Sequence, residues 1–350
     1  MIDLRSDTVT MPTDEMRHAM AECIVGDDVF VEDPTVNTLQ NDIAALLGKE
    51  DALFVPSGCM SNQIALAIHA KAGDEVIVDD ESHIFHYETA APSIIARVQL
   101  RCVSSASQGT RGALSVDDVE RAIRPGAYYF PRTSLVCIEN SHNRYGGTVL
   151  TPAHFKELKE LCDSRSLALH CDGARLWNAC AALDVEPREF AVHCDTLSVC
   201  LSKGLGAPVG SLLVGSHTHI QAARRWRKIL GGGMRQAGVL AAAGLIALHK
   251  HRQGLHFDHA HAAQFAKSLH ESGSFIVDNY PTQTNIVIFR MVNPVDTTTY
   301  IERCQQHGLR ISTGREGGWL RAVFHHQVSA SQTQEAIDII KAVSSNFAHN

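Results

Sequence analysis

Ser198-Val199-Cys200-Leu201-Ser202-Lys203-Gly204-Leu205-Gly206-Ala207-Pro208-Val209-Gly210 is the stretch on which the fold turns. Leu197, Val199 and Leu201 alternate with smaller or less apolar residues, the period of a partly buried strand. Gly204, Gly206 and Pro208 then break the regular structure. Lys203 therefore stands at the carboxyl end of a strand, where open α/β sheets collect their ligands. Read alone, a lysine in such a loop is merely solvated. Two stretches upstream argue otherwise.

The first is Ala168-Leu169-His170-Cys171-Asp172-Gly173-Ala174-Arg175. Leu167 to Cys171 reads as a strand, and Asp172-Gly173 leaves it. The interval to Lys203 holds a helical segment (Arg175 to Leu183), a connector with Pro187, and the strand that ends at the lysine. That is one crossover, so Asp172 and Lys203 belong to strands of one sheet and face one cavity. An acid and a lysine at two such strand ends suit pyridoxal phosphate. The lysine forms a Schiff base with the aldehyde carbon, and the carboxylate keeps the pyridine nitrogen protonated so that the ring accepts electrons. On its own Asp172 reads equally as a cap for the following helix.

The second is Phe54-Val55-Pro56-Ser57-Gly58-Cys59-Met60-Ser61-Asn62. A short apolar run enters it at Ala52, and a helix from Asn62 to Lys71 leaves it. Strand, Ser-Gly turn and helix start make an anion site, because free backbone N–H groups and the positive end of the dipole point at a phosphate. Ser-Gly before a helix is by itself an ordinary cap; its weight here comes from the company of Asp172 and Lys203.

Along the chain, strands are expected at Ala52–Val55, Glu75–Val78, Arg97–Val103, Ser134–Ile138, Leu167–Cys171, Thr196–Leu201 and Val209–Val214, with helices between most of them. This alternation predicts an α/β fold with a mostly parallel sheet flanked by helices. After Val214 helices dominate, at Thr218–Leu230, Gln236–His249 and His256–Ser272. A shorter alternation follows: strand Asn285–Phe289, helix Thr298–His307, strand Leu320–Phe324, helix Gln332–Phe347. The expected division is an arm plus a large domain over residues 1–254 and a small α+β domain over 255–350, a size that suits 350 residues.

Composition narrows the class. The chain is 45% hydrophobic, yet no run reaches the length of a membrane helix. The start, Met1-Ile2-Asp3-Leu4-Arg5-Ser6, lacks a signal pattern. Ten cysteines show no paired metal spacing, and Cys102, Cys137, Cys171 and Cys200 fall in expected strands as small hydrophobes. A reducing, cytoplasmic setting follows as the expectation. The net charge of -7 argues against nucleic acid as a partner. The densest histidine patch, His249, His251, His256, His259 and His261, lacks cysteine or regular carboxylates, so no metal is expected there.

With these motifs in this order, the chain resembles the threonine aldolases, pyridoxal-phosphate enzymes of the aspartate aminotransferase superfamily (fold type I). The resemblance runs from Ile2-Asp3-Leu4-Arg5-Ser6-Asp7-Thr8-Val9-Thr10 to Leu320-Arg321-Ala322-Val323. Between them it takes in Val25-Gly26-Asp27-Asp28, Glu32-Asp33-Pro34, Ser82-His83-Ile84, Glu139-Asn140-Ser141-His142-Asn143 and Gly231-Gly232-Gly233-Met234-Arg235-Gln236-Ala237-Gly238, besides the three stretches above. It implies that His83 stacks on the pyridine face and is a base candidate. It implies that Ser6 and Arg321 hold the substrate carboxylate, with Arg175 helping there or pairing with the cofactor's phenolic oxygen. Ser57, Gly58, Cys59 and Ser202 join the cofactor's surroundings. Lys228 and Arg235 flank the triglycine in a segment that reaches the neighbouring subunit's cofactor phosphate, with Lys228 also on the substrate side. A homo-oligomer, dimer or dimer of dimers, with a shared active site is thereby implied.

Two departures stand out. Cys59 replaces the threonine usual after Ser57-Gly58, removing one hydroxyl from the phosphate. Tyr129 stands where the family commonly has a histidine near the substrate side chain. The expected activity is cleavage of L-threonine, L-allo-threonine or related β-hydroxy-α-amino acids to glycine and an aldehyde. Its rivals are β-elimination or amino transfer on the same cofactor, and a pyridoxal-phosphate binder without turnover.

Overall fold

The structure, a computed structural model, describes residues 1–106 and 111–345. Its strands, numbered along the chain, begin with β1 (Ile2–Asp3) in the arm. Seven more form the central sheet: β2 (Asp51–Val55), β3 (Glu75–Asp79), β4 (Gln99–Val103), β5 (Thr133–Glu139), β6 (Ala168–Gly173), β7 (Thr196–Cys200) and β8 (Ser211–Gly215). Their order is β2-β8-β7-β6-β5-β3-β4. β8 runs antiparallel to both of its neighbours, and the other pairings are parallel. Every residue of β3, β5, β7 and β8 is buried. Sheets covered by helices on both faces leave no solvated side, so these strands read as runs such as Thr-Ser-Leu-Val-Cys-Ile-Glu rather than as strict alternation.

Local sequence fixes the helices. Helix Pro34–Leu47 starts on Asp33, whose Oδ1 accepts from the N–H groups of Thr35 and Val36 at 3.1 and 3.0 Å. Pro34 fills the first helical position, where its missing N–H costs nothing. Gly48 ends the helix at a φ of 62°, a left-handed conformation that glycine adopts without strain. The other Asp33 oxygen accepts from Gly238 N–H at 2.8 Å, tying this helix to Gly238–His249.

Several boundaries differ from the reading of the sequence, and three of the differences have a visible local cause. The helix after Ser57 begins at Gly58, not Asn62, because Ser57 Oγ accepts from Met60 N–H and caps it there. β6 continues through Asp172 and Gly173, because Glu139 and Ser198 pair with Asp172 on its two sides. β4 starts at Gln99, after Arg97 at a φ of 58° turns the chain. The connector at Pro187 is a short helix, Pro187–Ala191.

The C-terminal part carries a second sheet, made of β9 (Phe275–Val277), β10 (Ile286–Met291), β12 (Ser312–Thr313) and β13 (Leu320–Val323) in the antiparallel order β12-β13-β10-β9. β11 (Leu309–Arg310) pairs instead with β1, in parallel. The arm is thus bound far from its neighbours in sequence: Ile2 and Leu4 lie in the same apolar core as Phe265, Phe289 and Ile340. A larger core lies under the central sheet and includes Phe54, Phe155, Trp177 and Phe190. Helix Leu255–Glu271 joins the two cores, with Leu255 in the larger and Phe265 in the second. The last helix is described over Ala330–Ser345; the expected end at Phe347 lies outside the described residues.

Candidate active site

Lys203 leaves β7 in a turn held from two sides. Gly206 N–H donates to the Lys203 carbonyl at 2.8 Å, and the Thr10 hydroxyl of the arm donates to it at 3.3 Å. The lysine's charge acts on Asp7, Cys59, His83, Asp172 and Cys200, which places it among them. Asp172 is buried near the end of β6. Its Oδ1 accepts from Ala174 N–H at 3.0 Å and its Oδ2 from Asn62 Nδ2 at 2.8 Å. Burial pushes this carboxyl up, but the charges of His83 and Lys203 and these two hydrogen bonds outweigh it and hold the group below the ordinary carboxylate value. Asp172 is therefore an anion, as a partner for a pyridinium nitrogen must be.

His83 opens a one-turn helix, His83–His86, after β3. Its backbone N–H donates to Glu139 Oε2 at 2.7 Å, and its Nδ1 lies 3.0 Å from Glu88 Oε1. Glu88 is buried and also accepts from Asn62 Nδ2 at 2.8 Å and Gln63 Nε2 at 2.6 Å. Burial lowers the His83 pKa, but Glu88, Asp172 and Glu139 outweigh it and raise the group above its ordinary value. A carboxylate at Nδ1 keeps a proton on that nitrogen and leaves Nε2 as the basic one.

Two guanidiniums meet beyond the lysine, in different states. Arg175 donates from Nε to Asp7 Oδ2 at 2.8 Å and from Nη2 to Asp7 Oδ1 at 2.6 Å. Its Nη1 reaches Asn143 Oδ1 at 3.2 Å. Asp7 is fully buried, and the Arg175 charge overcomes that burial and drives its carboxyl far below the usual range. Arg321, on β13, donates from Nη2 to the same Asn143 oxygen at 2.9 Å. Its buried Nε has no hydrogen-bond partner, and among the described residues no carboxylate pairs with it. Burial and the neighbouring Arg175 charge lower its pKa to about 10. Arg321 as a residue is half-buried, and a partly desolvated guanidinium with no paired carboxylate suits a ligand carboxylate. Ser6 lies alongside, its Oγ 3.4 Å from Asp7 Oδ1.

Ser57, Gly58 and Cys59 form the start of the helix that follows β2. The first N–H groups of a helix have no partner inside it. A Cβ on Gly58 would come within 2.9 Å of Cys200 Sγ, so only glycine lets the helix start lie this close to β7. Ser61 Oγ, one turn further on, is buried without a partner. Burial, then the Glu88 and Asp172 carboxylates, push the Cys59 thiol up to about 11, so it is neutral. Ligand atoms of Cys59, His83 and Glu88 lie within 4.8 Å of one another; two of these residues are already joined by the Nδ1–Glu88 hydrogen bond. The histidine patch is dispersed: His249 meets Asp42, His251 the Leu205 carbonyl and His259 the Asn178 side chain.

Other residues singled out in the sequence lie apart. Ser202 precedes the lysine in its turn and is half-buried. Lys228 is exposed at the end of helix His217–Ile229. Arg235 is exposed and pairs with Asp27 at 2.9 Å. Tyr129 is not beside this chain's site: its loop runs into Arg132 and Thr133, which bond to Glu75 and Arg124 at the amino ends of β3 and β5. His83 and Asp172 stand at the carboxyl ends, a strand length of roughly 16 Å away. Asp7, Asn62, Glu88 and Asn143, in contrast, are central to the site and were given no role from the sequence. Asp7 and Asn143 lie in stretches that carry the resemblance; Glu88 had no signal at all.

These residues fit pyridoxal phosphate: a lysine and a buried carboxylate anion at adjacent strand ends, an imidazole between them and a helix start, and an unmatched guanidinium for an amino acid's carboxylate. The family model for beta-eliminating lyases matches residues 3–292, so the chain belongs to that family and its cofactor is pyridoxal phosphate. Within the family it belongs with the threonine aldolases, and it is an enzyme of that lyase type. It is 45% identical to the low specificity L-threonine aldolase of Escherichia coli K12 over 83% of this chain and 85% of that one. It is 41% identical to low-specificity L-threonine aldolase 1 of Arabidopsis thaliana over 94% and 92%. The fold is shared with the threonine aldolase of Leishmania major (TM-score 0.83, 19% identity, 98% and 100% covered). It is shared too with the serine palmitoyltransferase of Sphingomonas wittichii (TM-score 0.78, 15% identity, 99% and 88% covered).

Proposed function

We propose that this enzyme cleaves L-threonine, L-allo-threonine and related β-hydroxy-α-amino acids to glycine and an aldehyde. The observation that carries the reading is Arg321, a half-buried guanidinium with no carboxylate paired to it among the described residues, together with Lys203, Asp172 and a histidine whose Nε2 is basic. Pyridoxal phosphate, when bound, supplies the electron sink for the pair left by the broken Cα–Cβ bond. Lys203 would hold it through Nζ. Asp172 keeps a proton on the ring nitrogen. Arg321, aligned by Asn143, would clamp the substrate carboxylate and so fix the orientation of the bonds at Cα. His83 Nε2 takes the β-hydroxyl proton, directly or through water, so that the hydroxyl carbon leaves as an aldehyde.

The reading predicts glycine and aldehyde in equal amounts from a panel of threonine, allo-threonine and phenylserine stereoisomers. Pyruvate-type keto acids and ammonia would select β-elimination instead. Lys203→Ala should lose both the visible cofactor band and glycine release while keeping its fold; full activity in that variant sinks the proposal.

Three further parts of the reading concern the assembly. We assign the arm and residues up to 254 to a large domain and residues 255–350 to a small one; the two apolar cores support this except at the arm, whose Ile2 and Leu4 lie in the second core, and at Leu255, which lies in the larger. We place the enzyme in the cytoplasm, in keeping with ten free cysteines; no helix among the described residues is long and apolar enough to cross a membrane. We take the active form to be a dimer or dimer of dimers. Ile24, Phe30, Val31 and Ile229 are exposed near Arg235, and Tyr128 and Tyr129 are 99% and 69% exposed. Large apolar groups left in water in this way mark contact surfaces. Tyr129 then meets substrate only in a partner's site. There its phenol favours a bulky aldehyde group by contact, worth about ten- to a hundred-fold in relative efficiency. Tyr129→His should move the ratio of phenylserine to threonine cleavage toward threonine. An unchanged ratio at full cofactor occupancy would keep Tyr129 away from substrate.

A further inference from the structure

Asp172 and Glu88 are two buried carboxylates with different tasks, and a single side-chain amide stands between them. Asn62 Nδ2 donates to Asp172 Oδ2 at 2.8 Å and to Glu88 Oε1 at 2.8 Å. We propose that Asn62 is a positioning residue, locked in this one orientation by a buried relay through His170, Thr196 and His69.

Each link follows from the donor and acceptor roles of its neighbour. Asn62 Oδ1 accepts from Ser198 Oγ at 2.8 Å and faces His170 Nε2 at 3.2 Å, so that nitrogen carries hydrogen. His170 Nδ1 lies 2.9 Å from Thr196 Oγ1. Burial lowers the His170 pKa to about 4, so the ring is neutral and Nδ1 must accept. The Thr196 hydroxyl donates to it and is then free to accept from His69 Nε2, also at 2.9 Å. Burial and then His219 and His170 lower the His69 pKa to about 3, so it too is neutral and donates. Every hydrogen in the chain then has one place. Turning the Asn62 amide over would set its oxygen against both carboxylates and its N–H groups against the two donors, Ser198 and His170.

The consequence lies at the two acid–base groups. Asp172 faces His83, Lys203 and Asn62, and His83 faces Glu88, Asp172, Glu139 and Lys203. His69, at the far end, faces His219, His170, Asp195 and Lys159. The locked amide keeps Asp172 ionised for the ring nitrogen and leaves Glu88 for His83 Nδ1, although the two carboxylates share one amide. This consequence rests on the function proposed above; the lock itself does not.

The lock is read in the cofactor-free protein by long-range proton–nitrogen spectra of labelled imidazoles, with His170→Gln and His69→Gln to assign signals. Both rings should stay neutral and carry hydrogen on Nε2 across the neutral range. A proton on His170 Nδ1, or a charged ring there, overturns the lock. The consequence is read in the cofactor-loaded protein from the pH midpoint of its visible band. Thr196→Val, which keeps shape but loses the hydroxyl, should shift that midpoint by about 0.5–1 unit, the worth of one hydrogen bond. Thr196→Ser should leave it in place. An unmoved midpoint in a fully loaded Thr196→Val protein overturns the positioning role. A wild type that takes up no cofactor overturns the functional reading, and the imidazole spectra still decide the lock.

Discussion

A histidine that must take a proton at Nε2 works only while it is neutral, so the groups around His83 set the acid side of the pH profile. Its raised pKa reflects a contest in which Glu88, Asp172 and Glu139 outweigh burial. Activity should therefore rise with pH through a midpoint above the ordinary histidine value, about 6.5. Glu88→Gln keeps an acceptor near Nδ1 and removes the charge, so burial gains ground and the midpoint should fall. Measuring kcat/KM across the acid and neutral range in both proteins checks this, and an unmoved limb would remove His83 from the proton transfer. The contrast between His83 and Glu88 also shows what a sequence reveals at this scale. Lys203, Asp172 and Arg321 are legible because each sits at a strand end or in a motif that carries the resemblance. Glu88 and Asn62 act through other side chains, and nothing in apolar periodicity marks a residue for that. For Arg175 the resemblance implies a hold on the substrate carboxylate or on the cofactor's phenolic oxygen; its partner Asp7 is 168 residues away, and only the folded chain shows that the charge is already matched.

At the scale of elements, the arm does more than its composition suggests. β1 pairs with β11, Leu4 carbonyl accepts from Val323 N–H at 2.8 Å, Thr10 holds the Lys203 carbonyl, and Asp7 matches Arg175. Asp7→Asn keeps the volume and leaves the buried Arg175 without its carboxylate. Breaking a buried pair from one side costs about 3–5 kcal/mol, so the urea midpoint should fall markedly. The sign with pH follows from the depressed pKa of Asp7. Its contribution is complete above the unfolded value, about 3.9, and is lost as pH falls toward the folded one. The variant's stability should thus converge on the wild type's in strong acid, and equal stability of the two at neutral pH would show the pair to be idle. The central strands were legible because burial on both faces demands continuous apolar runs. β9 and the two-residue strands β1, β11 and β12 are too short for any period to appear. The early start of the helix at Gly58 is a capping decision by Ser57, which apolar spacing does not report.

At the scale of the whole molecule, the α/β alternation was enough to foresee the layers, but a single chain leaves part of the site unexplained. Lys228 and Arg235 belong to a basic, glycine-rich segment in which both side chains are exposed, with Arg235 57% exposed at its side chain and paired with Asp27. The apolar side chains beside it, Ile24, Phe30 and Ile229, are exposed as well. If the segment completes a neighbour's phosphate site, defects in Lys203 and in Arg235 can lie in different sites of one dimer. Lys203→Ala and Arg235→Ala chains should each be weak alone. After random exchange at equal amounts, half of the dimers are mixed, and in a two-fold symmetric dimer one of their two sites holds both intact residues, about a quarter of all sites. Activity should return toward that fraction of the wild type's, with a visible cofactor band in proportion. Full exchange, proved by mass-tagged subunits, without any recovery would place Lys203 and Arg235 in the same chain's site and remove the reason for a shared one.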